Sequence, residues 1–438
     1  MGMKRKEVFW RIRRQLRGVG IEMRFSGDNL RLNLRGLLFG LAVGLVVGFV
    51  GGLFARLLSL AAVVRDGSDW PVYLLPLAGV MVVWLYQWGG IKTAGGTDLI
   101  IQAARGEQPV SRLLAPVIFV ATLLTHFFGG SAGREGAALQ LGGSLAVLVR
   151  KWMRIGNEFE DLAIMCGMSA GFSAVFGNQI SAVIFALEIS CVGILPMGAL
   201  FPCVVSSITA GHVARAMGEV AVTYYIPTTA PDALFYGKVL VLGVACGLMS
   251  ILVCYVFSGV RSLLEHLFPD PYLRVVIGGV VVVILTLVLD TKFYLGTGQV
   301  IIDQTIKEGT CMPWDFLLKL LFTAITLGAG FKGGEIVPSF AIGAAFGCLM
   351  GSLLGLPPSY AAAMGMVAMF CGVTNCPLTS LVLGFEVFLF TNSSGFLVAV
   401  AASFLVSGYG GLYQKQKFAF SKVADSTGTV PEEESIFR

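Results

Sequence analysis

The sequence predicts an all-α polytopic membrane protein built from two repeats of broken helices, and three observations support this fold class. First, 56% of the 438 residues are apolar and only 13% are charged, whereas a soluble domain has about 45–50% apolar and about 25% charged residues. Second, the apolar residues form a series of spans that glycine and proline interrupt. Third, three motifs recur about 200 residues apart. The composition excludes an ordinary soluble protein and a disordered chain.

Twelve apolar spans are visible along the chain, and several are shorter than the roughly 20 residues that a helix needs to cross a bilayer. Short, interrupted spans at matching positions are typical of broken helices around a site near the membrane midplane. The predicted spans lie near residues 37–64, 71–90, 113–130, 162–187, 194–215, 236–258, 273–290, 315–330, 338–355, 361–373, 378–390 and 396–408.

A basic segment, residues 1–35, precedes the first span. It holds ten Lys/Arg and three acids, which gives it a net charge of +7 and leaves −2 for the remainder of the chain. The positive-inside rule places such a segment in the cytoplasm. Apolar residues recur at helical spacing opposite the arginines, which predicts an amphipathic helix on the inner leaflet. These residues are Val8, Phe9, Ile12, Leu16 and Val19.

Two alternatives for the basic segment are disfavoured. The basic stretch is too long for the n-region of a signal peptide, and the apolar span that follows it is too long for the h-region. A nucleic-acid-binding arm does not suit so apolar a chain, and no nucleic-acid partner is expected. The polar residues 414–438 predict a short cytoplasmic tail.

Small residues predict close helix packing rather than a metal centre. Gly40, Gly44, Gly48 and Gly52 are spaced by four residues, which allows another helix to approach closely. The nine cysteines show no CxxC and no metal-type spacing, so we expect neither a disulfide framework nor a metal or cofactor. The three histidines, including His126, are expected to be satisfied packing or interfacial residues.

An internal repeat relates the two halves of the chain. Ile100 matches Ile301, Glu135 matches Glu335 and Glu188 matches Glu386, with offsets of 201, 200 and 198 residues. Three ordered matches at nearly one offset predict an inverted-repeat transporter or channel with repeats at 36–225 and 226–413. Chance self-similarity of apolar sequence is the alternative.

Three glycine-rich stretches come directly before predicted helix starts. They are Gly129–Gly136, Gly328–Glu335 and Gly95–Asp98. Helix N-termini carry partial positive charge and free N–H donors, so several of them directed at one point would bind an anion. Glu135 and Glu335 stand at matched positions there, and a carboxylate at such a helix start can occupy the place of the anion until it is protonated. The alternative is that each acid only favours its helix start through the dipole.

Other polar residues at helix ends receive more ordinary interpretations. Glu188 and Glu386 end apolar runs in the two repeats and are expected to be structural helix ends near the cytoplasmic face. Asp98 and Gln299 begin matched segments, and a helix-cap role is expected for both.

The motifs resemble those of the CLC family of chloride channels and anion/proton antiporters, over about residues 35–415. "GSAGREGAALQLGG" (130–143) is similar to the GREGP signature, "AGGTDLI" stands at the family's GSGIP position, and "GFKGGEIVP" stands at its GxFxP segment. "SGYGGLY" places Tyr413 at the position of an anion-contacting tyrosine. GREG without proline, GFKGGE and the GIY-like tyrosine resemble the fluoride-exporting branch.

The resemblance implies a fold of inverted repeats of broken, tilted helices, in a homodimer with one pore per subunit. It also implies a plasma (inner) membrane location, cytoplasmic termini and no enzymatic activity. Residues 162–215 or 361–408 would supply the dimer contact. Glu135 would be the outward gate and Glu335 the second proton-coupling acid. The implied anion-binding residues are Thr97, Gly133, Arg134, Gly136, Gly333, Gly334, Ile336, Val337 and Tyr413.

Several positions depart from the pattern that the resemblance implies. Thr97 stands where the fluoride branch often has methionine, Val337 where it tends to have threonine, and Gln179 where the family usually has proline. Ile189 replaces the inner acid of ordinary family antiporters, as in the fluoride branch.

The expected function is fluoride/proton antiport across the lipid bilayer, with fluoride or chloride ions and protons as the transported species. A passive chloride channel or chloride/proton exchanger of the same family is the alternative. A membrane enzyme is disfavoured because the sequence has no nucleophile–base or HExxH constellation.

Overall fold

A computed structural model describes residues 2–91, 96–226, 232–391, 393–419 and 421–422, with side chains from residue 34 onward. The predicted fold class is confirmed, because nearly all regular structure in these residues is helical. Two short strands, β1 (Cys191–Val192) and β2 (Lys417–Phe418), pair in parallel. The amphipathic face predicted for residues 8–19 lies outside the described side chains, although the backbone continues there as part of the first helix.

The helices fall into two series that repeat the same order. The first series is α1 (Gly2–Gly67), α2 (Trp70–Tyr73), α3 (Leu75–Trp88), α4 (Gly96–Ala104), α5 (Leu114–Phe127), α6 (Glu135–Trp152), α7 (Glu160–Phe176), α8 (Gln179–Glu188) and α9 (Leu200–Ala216). The second series is α10 (Ala233–Leu267), α11 (Pro271–Val288), α12 (Gln299–Asp303), α13 (Asp315–Ala329), α14 (Ile336–Leu354), α15 (Pro358–Thr374), α16 (Pro377–Val387) and α17 (Ser393–Val406). A π-helical turn, Gln304–Glu308, extends α12.

The two series pack in the same way. Helix α6 packs on α7 as α14 packs on α15, and α1 packs on α9 as α10 packs on α17. Helix α3 packs on α5 as α11 packs on α13. The repeat predicted from sequence is therefore a repeat of packing as well.

Two of the apolar spans are each divided into two helices, in agreement with the broken helices that the sequence predicts. The span 162–187 breaks into α7 and α8 at Gly177, whose φ of +76° is a left-handed conformation that ends a helix and favours glycine. The span 71–90 breaks into α2 and α3 at Leu74, just before the proline at position 76. Six helical segments within the described residues are long and apolar enough to cross a bilayer.

Small residues allow the helices to approach closely. A side chain at Gly48 would lie 2.7 Å from the Cα of Ala210, and one at Gly44 would lie 2.8 Å from the carbonyl of Ser206. The predicted glycine stripe of α1 thus packs directly on α9. Gly142 of α6 meets the main chain of Gly167 in α7 just as closely.

Glu188 and Glu386 are structural helix-end residues, as predicted, but each stabilises a helix of the other repeat. The Glu188 carboxylate accepts hydrogen bonds from the main-chain N–H groups of Leu378 (3.0 Å) and Thr379 (2.8 Å) at the start of α16. The Glu386 carboxylate accepts those of Ile180 (2.9 Å) and Ser181 (2.8 Å) at the start of α8. The exchange is reciprocal and ties the repeats together.

The segment after α17 returns to the first repeat. The Leu412 N–H still donates to the second repeat, to the Val373 carbonyl of α15 (2.8 Å), whereas the Lys415 N–H donates to the Asp98 carboxylate of the first repeat (3.3 Å). Lys417 bonds to Glu107 at 2.6 Å. These contacts fix the position of the intervening Tyr413.

Candidate anion site

The loops before α6 and α14 pair with each other. The Gly133 N–H donates to the Gly334 carbonyl at 2.6 Å, and the Gly334 N–H donates to the Gly133 carbonyl at 2.7 Å. A side chain at Gly333 would lie 2.5 Å from the Ala132 Cβ, so glycine is required for this approach. The pairing brings the start of α6 beside the start of α14.

The carboxylate of Glu135 lies between the two helix starts and is fully buried. It accepts hydrogen bonds from the N–H of Arg134 (3.1 Å) and the N–H of Val337 (3.2 Å). A side chain at Gly334 would lie 2.6 Å from its Oε2. The positive ends of both helices therefore surround a single carboxylate, and this is the environment that an anion would need.

The hydroxyl of Thr97 approaches this point from one side. A Cβ at Gly136 would lie 2.7 Å from the Thr97 Oγ1 and 3.3 Å from the Gly334 Cα. Tyr413 is buried and lines, with Thr97, a cavity of about 120 Å³ that we call the Tyr413 cavity. Its other polar lining residues are Asp98, Arg261, Glu265, Arg274, Lys332 and Glu335.

Glu335 occupies different surroundings from Glu135. It is the residue immediately before α14, its side chain is 21% exposed, and it faces the Tyr413 cavity. Its Oε1 lies 3.6 Å from a guanidinium nitrogen of Arg261 in α10. The two matched acids thus stand at one junction but are directed to different places.

A second, larger cavity reaches the junction from another side. It has a volume of about 660 Å³, and Val337 belongs to its lining; we call it the Arg65 cavity. The guanidinium of Arg134 faces this cavity and lies 5.8 Å from the centre of the Phe176 ring. The charged and titratable lining residues are Arg65, His126, Arg134, Glu219, Tyr224, Asp303 and Lys307.

The structure brings together most of the residues that the sequence singled out. Thr97, Gly136, Gly334 and Glu135 meet at the junction, and Ile336 and Val337 form the first turn of α14 there. The main-chain N–H of Arg134 donates to the Glu135 carboxylate, while the Arg134 side chain faces the Arg65 cavity. Lys332 likewise places its ammonium 4.6 Å from the centre of the Tyr86 ring.

Two cap predictions are corrected. Asp98 lies in the first turn of α4, but its carboxylate binds the main chain of Lys415 instead of capping its own helix. Gln299 begins α12, yet its side-chain amide donates to the Tyr224 hydroxyl (2.6 Å) and to Asp303 (3.0 Å). Both residues connect separate parts of the chain, which local helix-start rules do not reveal.

Another correction concerns His126. Its Nδ1 bonds to the Thr122 carbonyl at 2.9 Å, whereas its buried Nε2 has no hydrogen-bond partner among the described residues. It is therefore only partly satisfied.

Lys319 is a buried residue that the sequence reasoning missed. Its ammonium donates to the Gly296 carbonyl (2.7 Å) and the Ser131 hydroxyl (2.9 Å), and so supports the loop before α6. The feature of the sequence that could have identified it is the presence of a lysine within the apolar span 315–330. No cluster of three His, Cys, Asp or Glu side chains within the described residues is arranged to hold a metal ion.

The family follows from comparison with known proteins. Residues 78–408 match the voltage gated chloride channel family. The chain belongs to this family, the CLC proteins. It is a multi-pass membrane protein of a family of anion transporters and channels, and the resemblance noted from its motifs is confirmed.

Individual relatives agree with this assignment. A chloride/fluoride channel protein of Pseudomonas syringae pv. tomato is 35% identical over 378 residues, which cover 84% of this chain and 83% of that protein. The crystal structure of a CLC-type fluoride/proton antiporter matches with a TM-score of 0.84 and 31% identity, over 88% of this chain and 98% of that one. A slow cyanobacterial Cl⁻/H⁺ antiporter shares the fold, with a TM-score of 0.76 and 20% identity over 86% and 96% of the two chains.

Proposed function

We propose that this CLC protein is a fluoride/proton antiporter that exports fluoride, with Glu135 as its gate. The observation that carries the proposal is the position of the Glu135 carboxylate, which is held by main-chain N–H groups between the starts of α6 and α14. A carboxylate in that position and a transported anion compete for the same donors. When Glu135 takes up a proton, its attraction to the helix ends falls and the anion can replace it.

The exchange proceeds in steps that use this chain's own groups. Fluoride enters the Tyr413 cavity from the cytoplasm, where the hydroxyls of Tyr413 and Thr97 can each donate one hydrogen bond. Protonated Glu135 leaves the helix starts toward the Arg65 cavity and the anion takes its place. After the anion has departed outward, protonated Glu135 returns to the helix starts, its O–H bond breaks and the proton passes to the Glu335 carboxylate. Glu335 releases this proton to the cytoplasm, and the ionised Glu135 again occupies the position between the helix starts.

Two features support fluoride as the substrate. The relatives named above include a chloride/fluoride channel protein and a fluoride/proton antiporter. Glu335 is a second acid at the junction, and the GFKGGE motif that contains it resembles the fluoride-exporting branch. Fluoride is small and strongly hydrated, so it needs dense hydrogen-bond donors and tolerates proton sharing.

Reconstitution into liposomes tests the proposal. The protein is placed in vesicles loaded with equal concentrations of fluoride and chloride, and an inward proton gradient is imposed while ion-selective electrodes record the efflux of each. We expect the gradient to drive fluoride out faster than chloride. Gradient-driven chloride efflux without fluoride efflux would indicate the chloride/proton exchanger, and efflux of either ion that ignores the gradient would indicate a passive channel.

We also infer a homodimer in the plasma (inner) membrane with cytoplasmic termini. Helices α8, α9, α16 and α17 expose apolar side chains that a second copy would cover. These side chains are Ile180, Leu200, Leu378 and Leu397. Light scattering of the detergent-solubilised protein should give twice the chain mass, and one chain mass would contradict this inference.

A further inference from the structure

We propose that Arg261 is a positioning residue for proton release: it holds the ionised carboxylate of Glu335 in the Tyr413 cavity, away from the anion position. This inference rests on the proposed proton-coupled function. Arg261 lies in the long helix α10, outside every motif that the sequence analysis singled out. Nothing local in the sequence marks it, and only the packing of α10 against α13 and α14 brings it to the site.

Contact geometry supports the assignment. The guanidinium of Arg261 lies 3.6 Å from Glu335 Oε1, which is within ion-pair distance. The main-chain N of Arg261 would lie 3.2 Å from a Cβ at Gly328, so α10 is seated tightly at this point. The side chain is 43% exposed to the cavity, which leaves it room to move.

A second acid lines the same cavity as Arg261 and Glu335. This acid is Asp98, whose carboxylate accepts a hydrogen bond from the main-chain N–H of Lys415 at 3.3 Å. Three other charged residues line the same cavity. They are Glu265 of α10, Arg274 of α11 and Lys332 of the loop before α14.

This arrangement gives Arg261 two alternative partners. While Glu335 is ionised, the guanidinium attracts its carboxylate into the cavity. When Glu335 carries a proton, that attraction is lost and the arginine still has Asp98 nearby, so it is never left without a counter-charge. The O–H bond of protonated Glu335 breaks, the proton passes to water in the cavity, and the resulting carboxylate pairs with Arg261. Arg261 thus favours release of the proton to the side on which it stands.

The test measures proton and halide fluxes of Arg261→Gln and Arg261→Lys in liposomes, with whichever halide the wild-type protein carries. The pH on the Tyr413-cavity side is varied. Removal of a neighbouring positive charge favours the protonated carboxyl, so we expect the pH midpoint of coupled transport for R261Q to move up by about one unit. Because lysine keeps the positive charge, the pH midpoint of R261K should lie close to that of the wild-type protein. Arg274→Gln, which removes an arginine from the same cavity, is the matched control and should leave the midpoint unchanged.

A double variant tests whether Arg261 acts through Glu335 or only through the positive charge that it adds to the cavity. In a Glu335→Gln background, R261Q should cause no further change in the proton-to-halide ratio, since the group on which it acts is gone. An unshifted midpoint in R261Q, an equal shift in R274Q, or an additive effect in the double variant would overturn the proposal while proton coupling itself stands. Wild-type halide flux with no accompanying proton flux would overturn both this proposal and the proposed function.

Discussion

Glu135 and Glu335 mark equivalent places in the two repeats, and their surroundings differ in a way that suggests different tasks. Glu135 is fully buried and bonded to main-chain N–H groups of both α6 and α14. Glu335 is 21% exposed, lines the Tyr413 cavity and stands beside an arginine. Under the proposed function, Glu135 would occupy the position of the anion and Glu335 would lie on the route by which the proton leaves. Glu135 would therefore take up the proton, and Glu335 would release it.

The largest expected effect is that of Glu135→Gln. A glutamine keeps the size of the side chain but carries neither the negative charge nor a transferable proton, so proton flux should fall to the background of protein-free vesicles. Halide flux should continue or rise, because the neutral side chain competes weakly for the helix starts. A pH electrode and a halide electrode in one vesicle suspension measure both. Proton flux in the variant equal to that of wild type would remove Glu135 from the gate role.

Glu335→Gln should have a smaller and different effect. Since its carboxylate does not touch the position between the helix starts, anion binding should stay within about twofold of wild type. Proton-coupled flux should fall about tenfold, because the release step has lost its acid. Binding is measured by titration of the detergent-solubilised protein and flux in vesicles. If E335Q weakened binding as strongly as it reduced flux, the contrast between the two acids would be wrong.

Glu188 and Glu386 contrast with Glu135 and Glu335, because this second pair of matched acids has the same structural role in both repeats. Each carboxylate caps a helix of the other repeat, so both Glu188→Gln and Glu386→Gln should destabilise the fold, by about 1–2 kcal/mol. We expect the larger loss for Glu188, which is more buried and also accepts the Thr379 hydroxyl at 2.6 Å. Thermal unfolding in detergent measures the difference. Destabilisation by one substitution alone would contradict a structural role shared by the two acids.

The smallest effect is expected at Glu107, which lies in the loop between α4 and α5. Hydrogen bonds from Arg105 and Lys417 lower the pKa of Glu107 from 4.5 to about 2. A lowered folded-state pKa stabilises the fold above pH 4.5, and this contribution is lost as the pH falls from 4.5 towards 2. Because the group is partly exposed, Glu107→Gln should lower the Tm by only about a degree at pH 7. The difference should vanish near pH 2, and a constant difference at all pH values would contradict the ion-pair explanation.

The sequence predicted the local parts of the site well and the long-range parts poorly. Glycines before helix starts and the acids at 135 and 335 follow from rules that act over a few residues. The pairing of Gly133 with Gly334 joins positions 201 residues apart, and only the arrangement of the repeats produces it. Arg261 and Lys319 lie in no recognisable motif. Their contacts depend on which loop packs against α10 or α13, and local sequence does not reveal this. The exact place of the break within 162–187, at Gly177, is not marked by composition, because apolar residues continue through it.

The central claim is that the Glu135 carboxylate and the transported anion compete for one position. Calorimetric titration of fluoride into the solubilised protein, in buffers with different ionisation enthalpies, measures the protons taken up when the anion binds. Competition predicts that wild-type protein takes up close to one proton per fluoride at neutral pH, and that Glu135→Gln takes up none. Fluoride binding without proton uptake in the wild-type protein, or equal uptake in the variant, would contradict the claim.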